Sequence, residues 1–126
     1  MLAGKLLAEY PKIKLFCLYG DLGSGKTVFC KGLALTLGIP EKKIKSPTFT
    51  LIRPHGGIFY HCDFYRIGKN DELITRQLLE IFSCGDALTA IEWPQALEGR
   101  LPKKRLNIYF KYHDEGTRII QVKEND

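Results

Sequence analysis

The chain has 126 residues, of which 44% are hydrophobic and 26% charged, a composition that excludes wholesale disorder. This length suits one domain spanning residues 1–126, and no apolar run approaches the roughly 20 residues that a membrane span needs. The net charge of +5 is compatible with a polyanionic partner but does not establish one.

The first predicted elements are a helix, a strand and a second helix. Residues 1–9 carry apolar side chains at helical spacing, and residues 13–19 are almost continuously apolar, as expected of a strand buried on both faces. A glycine-rich loop follows at residues 20–25. The next helix has a stripe formed by Phe29, Leu33 and Leu37, and Gly38 is its predicted stop signal.

The second half of the chain adds two predicted hairpins around a helix and a short strand. Residues 49–52 and 58–60 predict a hairpin whose turn spans residues 53–57. A helix is predicted at residues 71–82, with inward-facing apolar residues Leu73, Leu78 and Ile81. A buried strand at residues 87–91 and a closing hairpin of residues 105–112 and 117–122 complete the pattern. The sum is an α/β fold with a mixed parallel/antiparallel central sheet flanked by helices.

The glycine-rich loop carries a phosphate-binding motif. The pattern G-x-x-x-x-G-K-[ST] is matched in full by Gly20-Asp21-Leu22-Gly23-Ser24-Gly25-Lys26-Thr27, between a predicted strand and a predicted helix. In such a loop, backbone N–H groups cradle phosphate oxygens, Lys26 would reach the β- and γ-phosphates, and the Thr27 hydroxyl would ligate Mg²⁺. No N-K-x-D guanine-reading motif is present, so ATP is the expected nucleotide. The loop predicts a P-loop NTPase-like domain.

A P-loop enzyme also needs an acidic group near the metal, and the sequence offers two. Glu92 ends the predicted strand at residues 87–91, and Asp63 follows the strand that contains residues 58–60. Position at the end of a buried strand favours Glu92 as the metal carboxylate. Asp63 is then left for water positioning, substrate binding or loop structure.

Several other residues have two interpretations from the sequence alone. Thr48 lies where a γ-phosphate-sensing threonine could stand, or in a plain turn, and Trp93 is either a core residue or an exposed aromatic. A His61–Asp63 metal pair lacks a third ligand at sensible spacing. A Cys62–His61 nucleophile pair is weaker, because adjacent strand residues point to opposite faces. The four scattered cysteines predict reduced thiols and a cytoplasmic protein.

Four blocks in a fixed order carry a resemblance to a known family. They are residues 20–27, Ser46-Pro47-Thr48-Phe49-Thr50-Leu51, His61-Cys62-Asp63-Phe64-Tyr65-Arg66 and Ile91-Glu92-Trp93-Pro94. The series closely resembles the TsaE (YjeE) ATPase family, the ATP-binding component of bacterial tRNA threonylcarbamoyladenosine synthesis. The likeness covers essentially the whole chain, and the four blocks together are specific, whereas the P-loop alone is shared by many families.

The resemblance implies ATP hydrolysis coupled to a TsaB–TsaD complex, with tRNA contacted indirectly or weakly. By that likeness Thr27 and Glu92 bind Mg²⁺, and Trp93 lies beside the nucleotide. Thr48 and Asp63 belong to a switch-like apparatus and, with Lys26 and Glu92, form the expected catalytic set. The expected ATPase is slow alone, because a chain this short leaves little to build a lid over the γ-phosphate. The alternatives are a nucleotide-gated interaction module with incidental hydrolysis and a small-molecule P-loop kinase.

Overall fold

The secondary structure alternates between helices and strands along the chain. The computed structural model describes residues 2–21, 25–40, 52–64, 72–83, 85–97, 99–114 and 117–125. The elements in chain order are α1 (Leu2–Glu9), β1 (Leu15–Tyr19), α2 (Lys26–Thr36), β2 (Ile52–His55), β3 (Phe59–Asp63), α3 (Glu72–Ser83), β4 (Leu88–Glu92), a 3₁₀ helix (Pro94–Leu97), β5 (Arg105–Asp114) and β6 (Thr117–Asn125). No helix in these ranges is long and apolar enough to cross a membrane.

The strands form one six-stranded sheet in the order β2-β3-β4-β1-β5-β6. The four inner strands run parallel, whereas each edge strand, β2 and β6, pairs antiparallel with its neighbour. The predicted mixed sheet with flanking helices is therefore confirmed. Because parallel strands end at a common edge, the residues that follow β1, β3 and β4 meet there.

Both faces of the sheet are covered by helices. In β1, Phe16 and Leu18 pack in the cluster that includes residues of α1 and α2, and Leu15 and Cys17 pack in the opposite cluster with Leu78 of α3. Successive side chains of a strand point to opposite faces, so a strand covered on both sides needs apolar residues throughout. The apolar run from which β1 was predicted is continuous because the strand is buried on both faces.

Helix α2 is bounded by glycines in the left-handed region. Gly25, its N-cap residue, has φ 106° and Gly38 has φ 84°. At the C-terminal end the Ile39 N–H donates to the Ala34 carbonyl at 2.8 Å and the Gly38 N–H to the Leu35 carbonyl at 3.1 Å, which together form a Schellman motif. The predicted stop at Gly38 is confirmed, since glycine takes this conformation without a Cβ penalty.

The first hairpin differs from its prediction. Its turn is Gly56-Gly57-Ile58, and β2 extends through residues 53–55, which the sequence placed in the turn. Gly56 and Gly57 have φ 64° and 73° and are the central residues of a β-turn closed by the Ile58 N–H, which donates to the His55 carbonyl at 3.3 Å; positive φ at both positions is what glycine permits. Pro54 is tolerated within β2 because this strand lies at the sheet edge. Residues 49–51 of the predicted strand lie outside the described ranges.

Helix α3 also differs in the face that it buries. Leu78 is buried and Ile81 partly buried, but the side chain of Leu73 is 69% exposed, so the prediction that Leu73 faces inward is wrong. Thr75 is buried and Ile74 partly buried instead. Residue 71, at which the predicted helix begins, lies outside the described ranges.

Candidate functional site

At the carboxyl edge of the sheet, acidic side chains from two strands lie near a basic side chain from one helix. Asp63 ends β3 and is paired in register with Glu92, which ends β4, and Glu92 is in register with Leu18 of β1. The chain leaves β1 through Gly20, and α2 begins beside it at Lys26. Neighbouring strands are about 4.8 Å apart, so the two carboxylate-bearing residues stand next to each other and close to the helix N-terminus.

Lys26 is buried at this edge, with only 4% of the residue exposed. Its Nζ donates a hydrogen bond to the Gly20 carbonyl and lies 3.6 Å from the centroid of the Trp93 ring, a cation–π contact. Burial lowers the pKa of Lys26 below the ordinary lysine value, and the carboxylates of Glu92 and Asp63 partly offset this effect. The ammonium group is thus a desolvated cation, suited to binding an anion such as phosphate.

Glu92 is the acceptor for two side chains. The Thr27 hydroxyl donates to its carboxylate, at 3.2 Å from Oε1 and 3.3 Å from Oε2. On the other side His61 Nε2 lies 2.5 Å from Glu92 Oε2. Both His61 and Glu92 are buried, at 0% and 4% exposure. The sequence predicted Thr27 and Glu92 as metal ligands, and the structure brings them into direct contact.

The donor chemistry around Glu92 suits Mg²⁺. Thr27 and Glu92 offer a hydroxyl and a carboxylate, the hard oxygen ligands that Mg²⁺ prefers. The ligand atoms of Cys30, His61 and Glu92 also lie within 4.8 Å of one another, a set that would suit a softer metal. However, a nitrogen and an oxygen on one zinc ion stand about 3.4 Å apart, given bond lengths near 2.0–2.1 Å. The 2.5 Å contact between His61 and Glu92 is therefore a hydrogen bond.

Trp93 has an unusual backbone conformation. Its φ of 60° is the only positive value at a non-glycine residue in the described part of the chain. Such a conformation costs a bulky residue of order 1–3 kcal/mol and persists where the surroundings impose it. In this conformation the half-buried Trp93 ring lies over the Lys26 ammonium. The sequence left two interpretations of Trp93, a core residue or an exposed aromatic. Its partly covered position beside the Lys26 ammonium fits neither.

A cavity of about 410 Å³ opens beside Gly20 and Asp21, and no sequence motif predicted it. It is lined by Tyr19, Gly20, Asp21, Tyr109, Phe110 and Lys111. Tyr19 and Tyr109 are paired in register on β1 and β5, and their rings stack with centroids 4.8 Å apart. The sequence features that could have indicated this cavity are weak: an aromatic residue directly before the P-loop and another within a predicted strand of alternating apolar and polar residues.

The remaining predicted residues divide into two groups. Leu22, Gly23, Ser24 and Thr48 lie outside the described ranges, so their predicted roles stay predictions. Asp21 is exposed at the cavity, and Gly25 precedes α2.

Cys62 packs on the sheet face opposite the Glu92 site, and burial raises the pKa of its thiol. This arrangement does not favour a Cys62–His61 nucleophile pair.

Comparison with known proteins gives one consistent result. A family model, "Threonylcarbamoyl adenosine biosynthesis protein TsaE", matches residues 1–120. The tRNA threonylcarbamoyladenosine biosynthesis protein TsaE of Borreliella burgdorferi is 42% identical over 116 residues, which cover 89% of this chain and 82% of the relative. Its Bacillus subtilis namesake is 40% identical, over 92% of this chain and 73% of the relative. A crystal structure of B. subtilis YdiB superposes with a TM-score of 0.73 at 33% identity, covering 99% of this chain and 78% of that one.

Proposed function

We propose, since the chain belongs to the TsaE family of threonylcarbamoyladenosine biosynthesis proteins, that it is an Mg²⁺-dependent ATPase serving this tRNA modification in the cytoplasm. The observation that carries the proposal is the convergence of Lys26, Thr27 and Glu92 at the carboxyl edge of a P-loop NTPase-like sheet. One buried cation and two oxygen ligands are what a nucleoside triphosphate with its metal needs.

Each of these residues has a distinct role in the proposal. The Lys26 ammonium binds the β- and γ-phosphate oxygens through charge-assisted hydrogen bonds, and the N-terminus of α2 adds positive potential. Thr27 and Glu92 hold Mg²⁺, which when bound neutralises charge developing on the phosphates. Asp63, in register beside Glu92, orients the attacking water. Catalysis here is positioning and electrostatic stabilisation, with no covalent intermediate on the protein.

The cavity beside Gly20 is the proposed place of the nucleoside. Its volume of about 410 Å³ lies within the ordinary range for small-molecule pockets. The stacked Tyr19 and Tyr109 rings offer aromatic surface next to the phosphate-binding loop. A purine base held there would leave its phosphates near Lys26. This arrangement is the reason to expect a nucleoside triphosphate in preference to inorganic polyphosphate.

The proposal extends to partners: a TsaB–TsaD complex, with tRNA contacted indirectly or weakly. The test is ATP turnover measured for the chain alone, with TsaB–TsaD, and with tRNA added, beside a Lys26→Ala control. We expect slow release of phosphate by the chain alone and stimulation by partners, on the scale of about 10³-fold when a partner completes a P-loop site. Lys26→Ala should abolish turnover in every mixture.

Other results would favour another function. Turnover already at roughly 1–100 s⁻¹ without partners would mean that the site is complete in this chain. Tight ATP binding without hydrolysis under any condition would indicate a nucleotide-gated interaction module. Phosphate recovered on a small-molecule acceptor would indicate a kinase. Wild-type turnover in Lys26→Ala would remove the P-loop assignment itself.

A further inference from the structure

A histidine that the proposed chemistry does not use lies directly behind the metal carboxylate. His61 is 0% exposed, and its Nε2 is 2.5 Å from Glu92 Oε2. It stands on β3 in register with Ala90, two residues before Glu92 on β4, so its side chain reaches diagonally across two parallel strands. The carboxylate is thus contacted on one side by His61 and on the other by Thr27.

The surroundings of His61 fix both the ring and its hydrogen-bonding role. The ring stacks on Phe59, with centroids 6.4 Å apart and planes 14° from parallel. A carboxylate accepts hydrogen bonds, so the contact requires a hydrogen on Nε2. The other ring nitrogen, Nδ1, is buried without a hydrogen-bond partner among the described residues. One ring nitrogen is therefore bonded to Glu92, and the other has no hydrogen-bond partner in that part of the chain.

This burial is costly for a residue that only fills space. An unsatisfied buried polar atom destabilises the folded state, and an apolar side chain of similar size would avoid that cost. The polar atom that is satisfied, Nε2, is bonded to the one acidic residue that also contacts Thr27. Partners behind a metal ligand orient it, and their loss commonly weakens metal binding about 10–100-fold.

We propose that His61 is a positioning residue that holds the Glu92 carboxylate toward Thr27, so that both present their oxygens to one divalent cation. The inference rests on the proposed function, because it assigns the cation of that same site. His61 itself touches neither nucleotide nor metal. Its contribution lies in the rotamer of Glu92, which without the His61 bond would be free to turn away from the Thr27 hydroxyl.

The test uses two substitutions of matched shape, His61→Gln and His61→Met. Gln keeps an N–H donor at the end of an unbranched chain, Met has a similar length without a donor, and both lose the ring contact with Phe59 equally. The measured quantity is the ratio of ADP dissociation constants in EDTA and in Mg²⁺, by titration calorimetry. We expect His61→Met to reduce this ratio about tenfold or more and His61→Gln to stay within about threefold of wild type. In a Glu92→Gln background His61→Met should change nothing further.

Any of the following outcomes would overturn the inference. An unchanged Mg²⁺ effect in His61→Met, or equal losses in the Met and Gln variants, would leave His61 as a packing residue. A wild-type chain that binds ADP equally with and without Mg²⁺ would overturn the proposed function, and this inference with it. Should both variants fail to fold, ¹⁵N NMR of the wild-type His61 imidazole decides: a hydrogen on Nε2 is expected, and its absence would refute the contact.

Discussion

The burial of Lys26 suits the binding of an anion but lowers the stability of the folded state. Its ammonium group is almost fully buried, and desolvation lowers its pKa despite the carboxylates of Glu92 and Asp63 nearby. A group whose folded pKa is depressed in this direction destabilises the fold while it is protonated in both states. The penalty shrinks as the pH rises from the folded pKa toward the ordinary value of 10.5, since the folded chain then binds fewer protons than the unfolded one.

Lys26→Met should therefore stabilise the nucleotide-free fold while removing nucleotide binding. Met is unbranched and fills the space of the lysine stem without a charge. We expect the free energy of unfolding to rise by about 1 kcal/mol near neutral pH and ADP binding to weaken by at least about 2 kcal/mol. Thermal melts from pH 7 to pH 10 provide the check, and the advantage of the variant should narrow as the pH rises. A variant less stable than wild type throughout would contradict this account.

Substitutions of the two carboxylates at the sheet edge should affect different properties of the protein. Glu92 contacts Thr27, whereas Asp63 is near Lys26, whose charged form it favours. Glu92→Gln should lower the Mg²⁺ dependence of nucleotide binding at least about tenfold. Asp63→Asn should keep that dependence and lower turnover about 10²-fold or more, as loss of a water-orienting group does. Calorimetry with phosphate-release assays compares them, and the reverse pattern would exchange their roles.

At the scale of the elements, α3 is held to the sheet through a narrow face. Leu78 is 1% exposed, whereas Leu73 on the same helix is 69% exposed. Leu78→Ala should cost about 2–5 kcal/mol of unfolding free energy, because it leaves a cavity in the packed cluster. Leu73→Ala is the matched control, with an expected change within about 0.5 kcal/mol. Urea unfolding monitored by circular dichroism measures both, and equal losses would mean that α3 packs through a different face.

The same helix shows where sequence patterns reach their limit. The apolar stripe of α2 and the Gly38 stop identify that helix, because both are local signals. In α3 the spacing of leucines also indicates a helix, but rotation about its axis is set by the sheet beneath it, and Leu73 faces solvent as a result. For β2, a proline suggested a turn, and only the position of the strand at the sheet edge makes Pro54 acceptable.

At the scale of the whole molecule, strand order determines which predicted residues meet. The phosphate-binding motif alone predicted that Lys26 and Thr27 belong to the site. The contact between Glu92 and Thr27, in contrast, depends on the position of β4 between β1 and β3. The role of His61 and the tyrosine-lined cavity join residues far apart in sequence, on β3 with β4 and on β1 with β5. Neither has a short motif, since each arises only after the sheet has assembled.

The contact between Trp93 and Lys26 also equips the molecule with an optical reporter. Trp93 is the only tryptophan of the chain, so all indole emission comes from a ring whose face lies 3.6 Å from a cation. A phosphate that draws the ammonium toward itself changes the electric field at that ring. We expect saturating Mg²⁺–ADP to alter the fluorescence of wild type but not of Lys26→Met. An unaltered spectrum at a concentration that calorimetry shows to be saturating would separate the ring from the binding event. Occupancy of the site can thus be followed without any label, in real time and in the presence of partners that lack tryptophan.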